Sequence, residues 1–167
     1  MFPNVRRTWA PQGQTPILRC PGHWEKISAI AALAVSPDRR RLALYARFHP
    51  KKNINSILAA QFLGHLLKAM RGPVVLLWDS GNQHKGPAIR EFLRKHPRLH
   101  TFGFPGYTPE LNPEEWVWKL LKEPLANSSP KDLRDLKGRI HRPLQRIRQS
   151  QKLLWSCIYA SDLPWAR

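Results

Sequence analysis

Five consecutive apolar residues, Val74 to Trp78, stand between Pro73 and Asp79. The run is short for a helix and too apolar to face water. It therefore reads as a strand buried in the middle of a sheet. Helix-spaced patterns lie on both sides. Residues 53–70 place Ile54, Ile57, Leu58, Phe62, Leu66 and Met70 on one stripe, and Gly72-Pro73 ends it. Residues 87–97 put Ile89, Phe92 and Leu93 on a shorter helix, followed by a second strand candidate, LHTFGF, at 99–104. A third helix starts near Asn112, with Val117, Leu120 and Leu121 on one face, and Pro124 ends or kinks it.

Upstream, residues 23–37 and 39–50 read as two strands joined by a turn at Ser36-Pro37-Asp38-Arg39. The second alternates through Leu42, Leu44, Ala46 and Phe48; the alanines of the first leave a helix open. Residues 1–22 read as irregular chain. Strands alternating with helices predict an α/β fold with crossover helices on the faces of the sheet. In such sheets chemistry collects at the carboxyl ends of the strands.

Charge narrows the partner. The 167 residues carry 28 Lys and Arg against 11 Asp and Glu, a formal net charge of +17. Such an excess calls for a polyanion, and nucleic acid is the default. No apolar run approaches the length of a membrane span, and the first residues lack the apolar centre of a signal peptide. The expectation is an intracellular, cytoplasmic protein. Cys20 and Cys157 are too few for a disulfide framework, and Cys20 with His23 is too little for zinc, so idle or buried thiols are expected. From Pro130 to Trp155 the pattern is helical and basic. Lys131, Arg134, Lys137, Arg139, Arg142, Arg146, Arg148 and Lys152 oppose only Asp132 and Asp135. That face suits either a phosphate backbone or plain solvent.

Three residues offer chemistry. Asp79 ends the apolar run, where a carboxylate projects into the crevice; Asp-Ser-Gly-Asn is equally good turn sequence. Glu115 has a full local explanation. Asn112 suits the N-cap and Pro113 the first helical position. Glu115 then reaches back to the cap's N–H, and with Glu114 complements the helix dipole. His84 is placed to orient a carboxylate. His23, His49, His65, His96, His100 and His141 show no site spacing. Trp116 and Trp118 read as packing residues, with stacking on a base as the alternative. Two carboxylates converging in a chain of charge +17 call for a cation, and hard oxygen donors favour Mg²⁺ or Mn²⁺. Paired ions suit in-line phosphodiester chemistry.

Residues 74–127 resemble the catalytic domain of DDE transposases, in the mariner-like superfamily and its bacterial insertion-sequence branch. Trp78-Asp79-Ser80 with His84 is similar to the family's middle motif. Pro105, Tyr107, Pro109, Leu111, Asn112, Pro113, Glu115, Trp118 and Lys122 fit its last motif, and residues 6–16, RRTWAPQGQTP, are similar to the segment after its first strand. The resemblance implies an RNase H-like mixed sheet flanked by helices. It implies Asp79 and Glu115 as second and third acids of a triad holding Mg²⁺ or Mn²⁺, Glu114 as the variable neighbour, and His84, Asn112 and Ser80 as support. It implies Arg6, Arg7, Lys85, Lys119 and Lys122 on phosphates, DNA ends and target DNA as partners, and a homodimer as an option. It places the protein at the nucleoid.

Two departures matter. Ser80 replaces the family's usual Asn. More seriously, the family's first Asp precedes the Arg-Thr-Trp segment, and here no acid precedes Glu25. Asp38, in a turn, is badly placed to substitute. The expectation is a catalytic domain, residues 1–127, lacking its first strand and completed by an upstream segment, with a basic helical tail at 128–167. The rivals are an inactive DNA-binding remnant or half of a split transposase, and a basic structural nucleic-acid-binding protein.

Overall fold

The computed structural model describes residues 6–17 and 26–164. Cys20, His23 and Glu25 lie outside them. The element order is β1 (Ile27–Val35), β2 (Leu42–Pro50), α1 (Ser56–Ala69), β3 (Val74–Trp78), α2 (Pro87–Lys95), β4 (Leu99–Gly103), α3 (Pro113–Lys122), α4 (Leu133–Gln149) and α5 (Gln151–Ala160). Short 3₁₀ turns sit at Asn82–His84, Pro109–Leu111 and Glu123–Leu125. Every expected strand and helix is present, and the alanine-rich 27–35 segment is a strand.

The pairing is mixed. β1 and β2 run antiparallel in a register from Ile27↔Pro50 to Val35↔Leu42, and β3 and β4 run parallel from Val74↔Leu99 to Trp78↔Gly103. No ladder joins the two pairs among the described residues. Both pairs nevertheless meet one layer. Ile30, Ala32 and Tyr45 of the first pair and Val74, Leu76 and Trp78 of the second pack against the buried Phe62, Leu63, Leu66 and Leu67 of α1. The opposite face of β1–β2 lies on a second core with α3, α4 and α5, built on Leu121, Leu154, Val117, Ile140 and Cys157. The Cys157 thiol is buried, which pushes its pKa up to about 11, so it is idle as expected.

Two expectations are corrected. The α1 stripe is rotated: Ala59, Phe62, Leu63, Leu66 and Leu67 are buried, while Ile57 is 57% exposed. The β3 run is half-buried on one face and exposed on the other. Val75 and Leu77 are exposed, as is Phe102 on β4, because α3, α4 and α5 cover β1–β2 and leave this face bare.

The outer edge of β2 is closed by side chains. Gln151 donates to the Leu42 carbonyl at 2.8 Å and accepts from the Leu42 amide at 2.9 Å. Arg148 donates to the carbonyls of Leu44 at 3.1 Å and Ala46 at 3.2 Å. A free strand edge invites pairing with another chain, and this double cover removes the invitation. Gln151→Ala strands both Leu42 groups and should cost about 2 kcal/mol. Chemical denaturation checks this, with Gln151→Glu, which keeps only the acceptor, falling between.

Candidate active site

Asp79 leaves the carboxyl end of β3 into a tight turn. Its Oδ1 accepts from the Gly81 amide at 2.8 Å, so the turn reading of this residue is correct as far as it goes. The same oxygen lies 3.2 Å from His84 Nε2. His84 stacks on Trp78, ring centroids 4.7 Å apart. Burial lowers the His84 pKa, with the Asp79 charge pulling it back up, so the imidazole is neutral at pH 7. The Asp79 carboxylate can only accept, so we place the ring proton on Nε2, although the Gln83 side-chain amide nitrogen lies 3.3 Å from the same atom. Nδ1 is buried and has no hydrogen-bond partner. His84 thus spends its one donor on orienting Asp79.

Glu115 sits in the first turn of α3. Asn112 caps that helix as expected, its Oδ1 accepting from the Glu114 amide at 3.1 Å. The second half of the expected box is not made. The Asn112 amide donates instead to the Pro109 carbonyl at 3.0 Å, closing the 3₁₀ turn that precedes the helix. Glu115 is left exposed, and its carboxylate makes no hydrogen bond or ion pair with any described residue. The capping-box part of the local explanation is therefore removed, while Glu115 keeps its place in the first turn, where it complements the helix dipole.

Asp79 and Glu115 line one open cleft of about 180 Å³, together with Ser80, Asn112 and the loop from Phe104 to Pro109. Thr108 Oγ1 donates to the Pro105 carbonyl at 2.9 Å and steadies that loop. Within it Tyr107 has a φ of 58°, although Gly106 beside it does not adopt positive φ. A bulky residue in the left-handed region costs roughly 1–2 kcal/mol.

Glu114 is a residue that sequence reasoning passed over as merely variable. It falls three and seven positions before Val117 and Leu121, on the buried stripe of α3, and that spacing was the available signal. Its carboxyl is partly buried, and its pKa is pushed up to about 8, first by burial and then by the charges of Glu115 and Asp79. The Ala31 backbone N–H, on β1, pulls the other way. Glu114 is protonated at neutral pH.

The oxygens of Asp79 and Glu115 are the hard donors that Mg²⁺ or Mn²⁺ takes. Among the described residues no group of three or more His, Cys, Asp or Glu is gathered as a protein-only metal site. The residues present therefore fit one ion that completes its shell with water, and do not fit a pair.

The basic residues divide. Arg7, Lys85 and Lys119 are exposed, and Lys122 is partly so. Lys119 also lies 4.2 Å above the ring of Trp116. Arg6 is not free, because it pairs with Glu123 at 2.8 Å and its backbone bonds the Asn127 side chain in both directions. Of the tail, Arg148 is committed to β2 and Arg139 pairs with Asp135, while Arg134, Lys137, Arg142 and Arg146 face water. No helix among the described residues is long and apolar enough to cross a membrane.

The sequence profile of the DDE superfamily endonucleases matches residues 2–137. No match was found among curated protein sequences. Among solved structures, the Mos1 mariner paired-end complex with Mn is similar, with a TM-score of 0.67 at 17% identity over 94% of this chain and 47% of that one. The Mos1 strand transfer complex gives 0.65 at 17% identity, over 94% and 46%. The isolated Mos1 catalytic domain gives 0.57 at 15% identity, over 80% and 74%. This chain spans about half the length of the Mos1 chains in the two complexes. Its fold is RNase H-like.

Proposed function

The chain belongs to the DDE superfamily endonuclease family, and from that premise we propose that it is the catalytic-domain part of a DNA transposase. Its reaction is metal-dependent cleavage of a DNA strand followed by transfer of the freed 3′ end to target DNA. The observation that carries the reading is the convergence of Asp79, from the end of β3, and Glu115, from the start of α3, on one cleft. Mos1, the similar protein, has been solved with transposon-end DNA and, as a catalytic domain, with Mg and with Mn.

Asp79 and Glu115 would hold the ion. When bound, it polarises the phosphodiester and the attacking oxygen. His84 holds Asp79 at one angle through Nε2–H. Asn112 and Pro113 fix where α3 begins and so where Glu115 points. Glu114, protonated, keeps a third negative charge away from the approaching phosphate. Arg7, Lys85, Lys119 and Lys122 neutralise flanking phosphates. The protein works in the cytoplasm at the nucleoid.

A second ion needs a further carboxylate, and we assign it to one more strand of the sheet. That strand seats between β1 and β3. Among the described residues both have an unpaired edge, while the far edge of β2 is already covered by Arg148 and Gln151. On this reading residues 1–127 and the basic helices of 128–167 act together on one DNA. The second reading, a DNA-binding remnant without catalysis, draws its support from the two-acid site. Homodimerisation would follow if two DNA ends are paired.

DNA affinity tests the phosphate binding that these readings share with the third, a basic structural nucleic-acid-binding protein. Raising salt from 50 to 200 mM should weaken binding of a 30-base-pair duplex at least tenfold, as counterion release requires. A salt-independent Kd sinks the phosphate-binding assignment. Nicking in Mg²⁺ then decides between enzyme and remnant.

A further inference from the structure

We infer that Tyr107 is a stacking platform for one unpaired base next to the phosphate that would meet an ion at Asp79 and Glu115. The inference rests on the DNA reading above and adds a positioning residue to it. Four observations carry it. Tyr107 lines the same cleft as both carboxylates. Its side chain is fully exposed, at 103% of the reference area, so the ring has both faces free. Its backbone is held at φ 58°, the conformation a glycine takes at least cost, while the neighbouring Gly106 does not take it. The loop that imposes this is stiff: Pro105 and Pro109 flank it, and Thr108 ties back to Pro105 and accepts from the Leu111 amide at 3.1 Å.

A surface aromatic with no packing role is usually held in a relaxed backbone. Strain that buys no internal contact is retained where the direction of the side chain matters. A flat, amphipathic ring beside a phosphate site, in a chain of charge +17, matches the way proteins grip single-stranded nucleic acid: cations on the backbone, an aromatic under the base. A base still paired within the duplex has both faces covered. The platform therefore favours DNA whose end is unpaired at the reacting phosphate.

The test compares a blunt duplex with one carrying a three-nucleotide single-stranded end that contains 2-aminopurine, both in Mg²⁺. The wild-type chain should bind the unpaired end about tenfold more tightly than the blunt one and quench the 2-aminopurine. Tyr107→Phe should keep both effects, because stacking needs no hydroxyl. Tyr107→Ala and Tyr107→Gly should lose both and leave blunt-duplex affinity unchanged. Tyr107→Gly should melt higher than Tyr107→Ala, which shows that relief of strain is separate from loss of stacking. If Tyr107→Phe falls as far as Tyr107→Ala, the hydroxyl meets a phosphate and the stacking assignment is overturned. If Tyr107→Ala keeps the preference and the quench, the inference is overturned while the DNA reading stands. If the wild-type chain binds neither DNA, both fall together.

Discussion

Asp79→Asn or Glu115→Gln should lower Mg²⁺-dependent nicking about a thousandfold, roughly 4 kcal/mol of transition-state stabilisation. Each substitution keeps the shape of the side chain and removes its charge. The loss should be similar for either residue and no larger for the pair, because two ligands of one ion act as a unit. His84→Ala should cost less, about ten- to a hundredfold, since it removes only the group that orients Asp79. A plasmid-nicking assay in Mg²⁺ and in Mn²⁺ reads all four variants. Nicking that survives either acid substitution at near-normal rate would falsify the metal-site assignment. Isothermal titration of Mn²⁺ into the chain alone gives an independent check, with the single-ion affinity lost on either change.

The second large effect is on stability and is set by Glu114. Its folded pKa is raised from 4.5 to about 8. Between those values the folded chain binds a proton that the unfolded chain has released. Stability is therefore full below about pH 4.5, falls as pH rises, and levels off above about pH 8. Glu114→Gln removes the titration and keeps a neutral side chain of the same shape. It should be nearly neutral at pH 4.5 and stabilising by about 3 kcal/mol at pH 8.5, a rise in melting temperature of roughly 6–12 °C for a chain of this size. Thermal melts of both proteins from pH 4.5 to 9 read the difference. Parallel curves would show that Glu114 titrates as in water. Mg²⁺ should recover part of the loss at pH 8.5, because a cation at Asp79 and Glu115 offsets the charges that disfavour ionisation of Glu114.

Much of the fold was legible because each element carries its own local cause. The β1–β2 turn is written in Ser36-Pro37-Asp38-Arg39, and the start of α3 in Asn112-Pro113. Asp79 and Glu115 were legible as candidates because a strand end and a helix start are positions where carboxylates project. Each also had an innocent local explanation. For Asp79 that explanation survives alongside the site, since the Gly81 amide bonds it. For Glu115 only the dipole half survives, because the Asn112 amide was taken by Pro109. A 3₁₀ turn ahead of the helix competes for the same donor, and nothing in helix-capping patterns announces that competition.

Faces and edges were less legible. Five apolar residues in β3 read alike, yet Val75 and Leu77 meet water because three later helices chose the other strand pair. Which charges are free was hidden too: Arg148 reads as one more basic residue of α4 until it is found closing the edge of β2 across 104 positions of chain.

The sequence by itself determined the elements, their order, the cap that starts α3 and the chemical character of the partner, since these depend on neighbours within a few residues or on summed charge. Only the tertiary structure decided that Asp79 and Glu115 share a cleft, that Glu114 is protonated beside them and that Tyr107 is held strained above the same space. Each of those outcomes depends on distance, burial and field between residues far apart in the chain, and such quantities exist only once the helices and strands have packed.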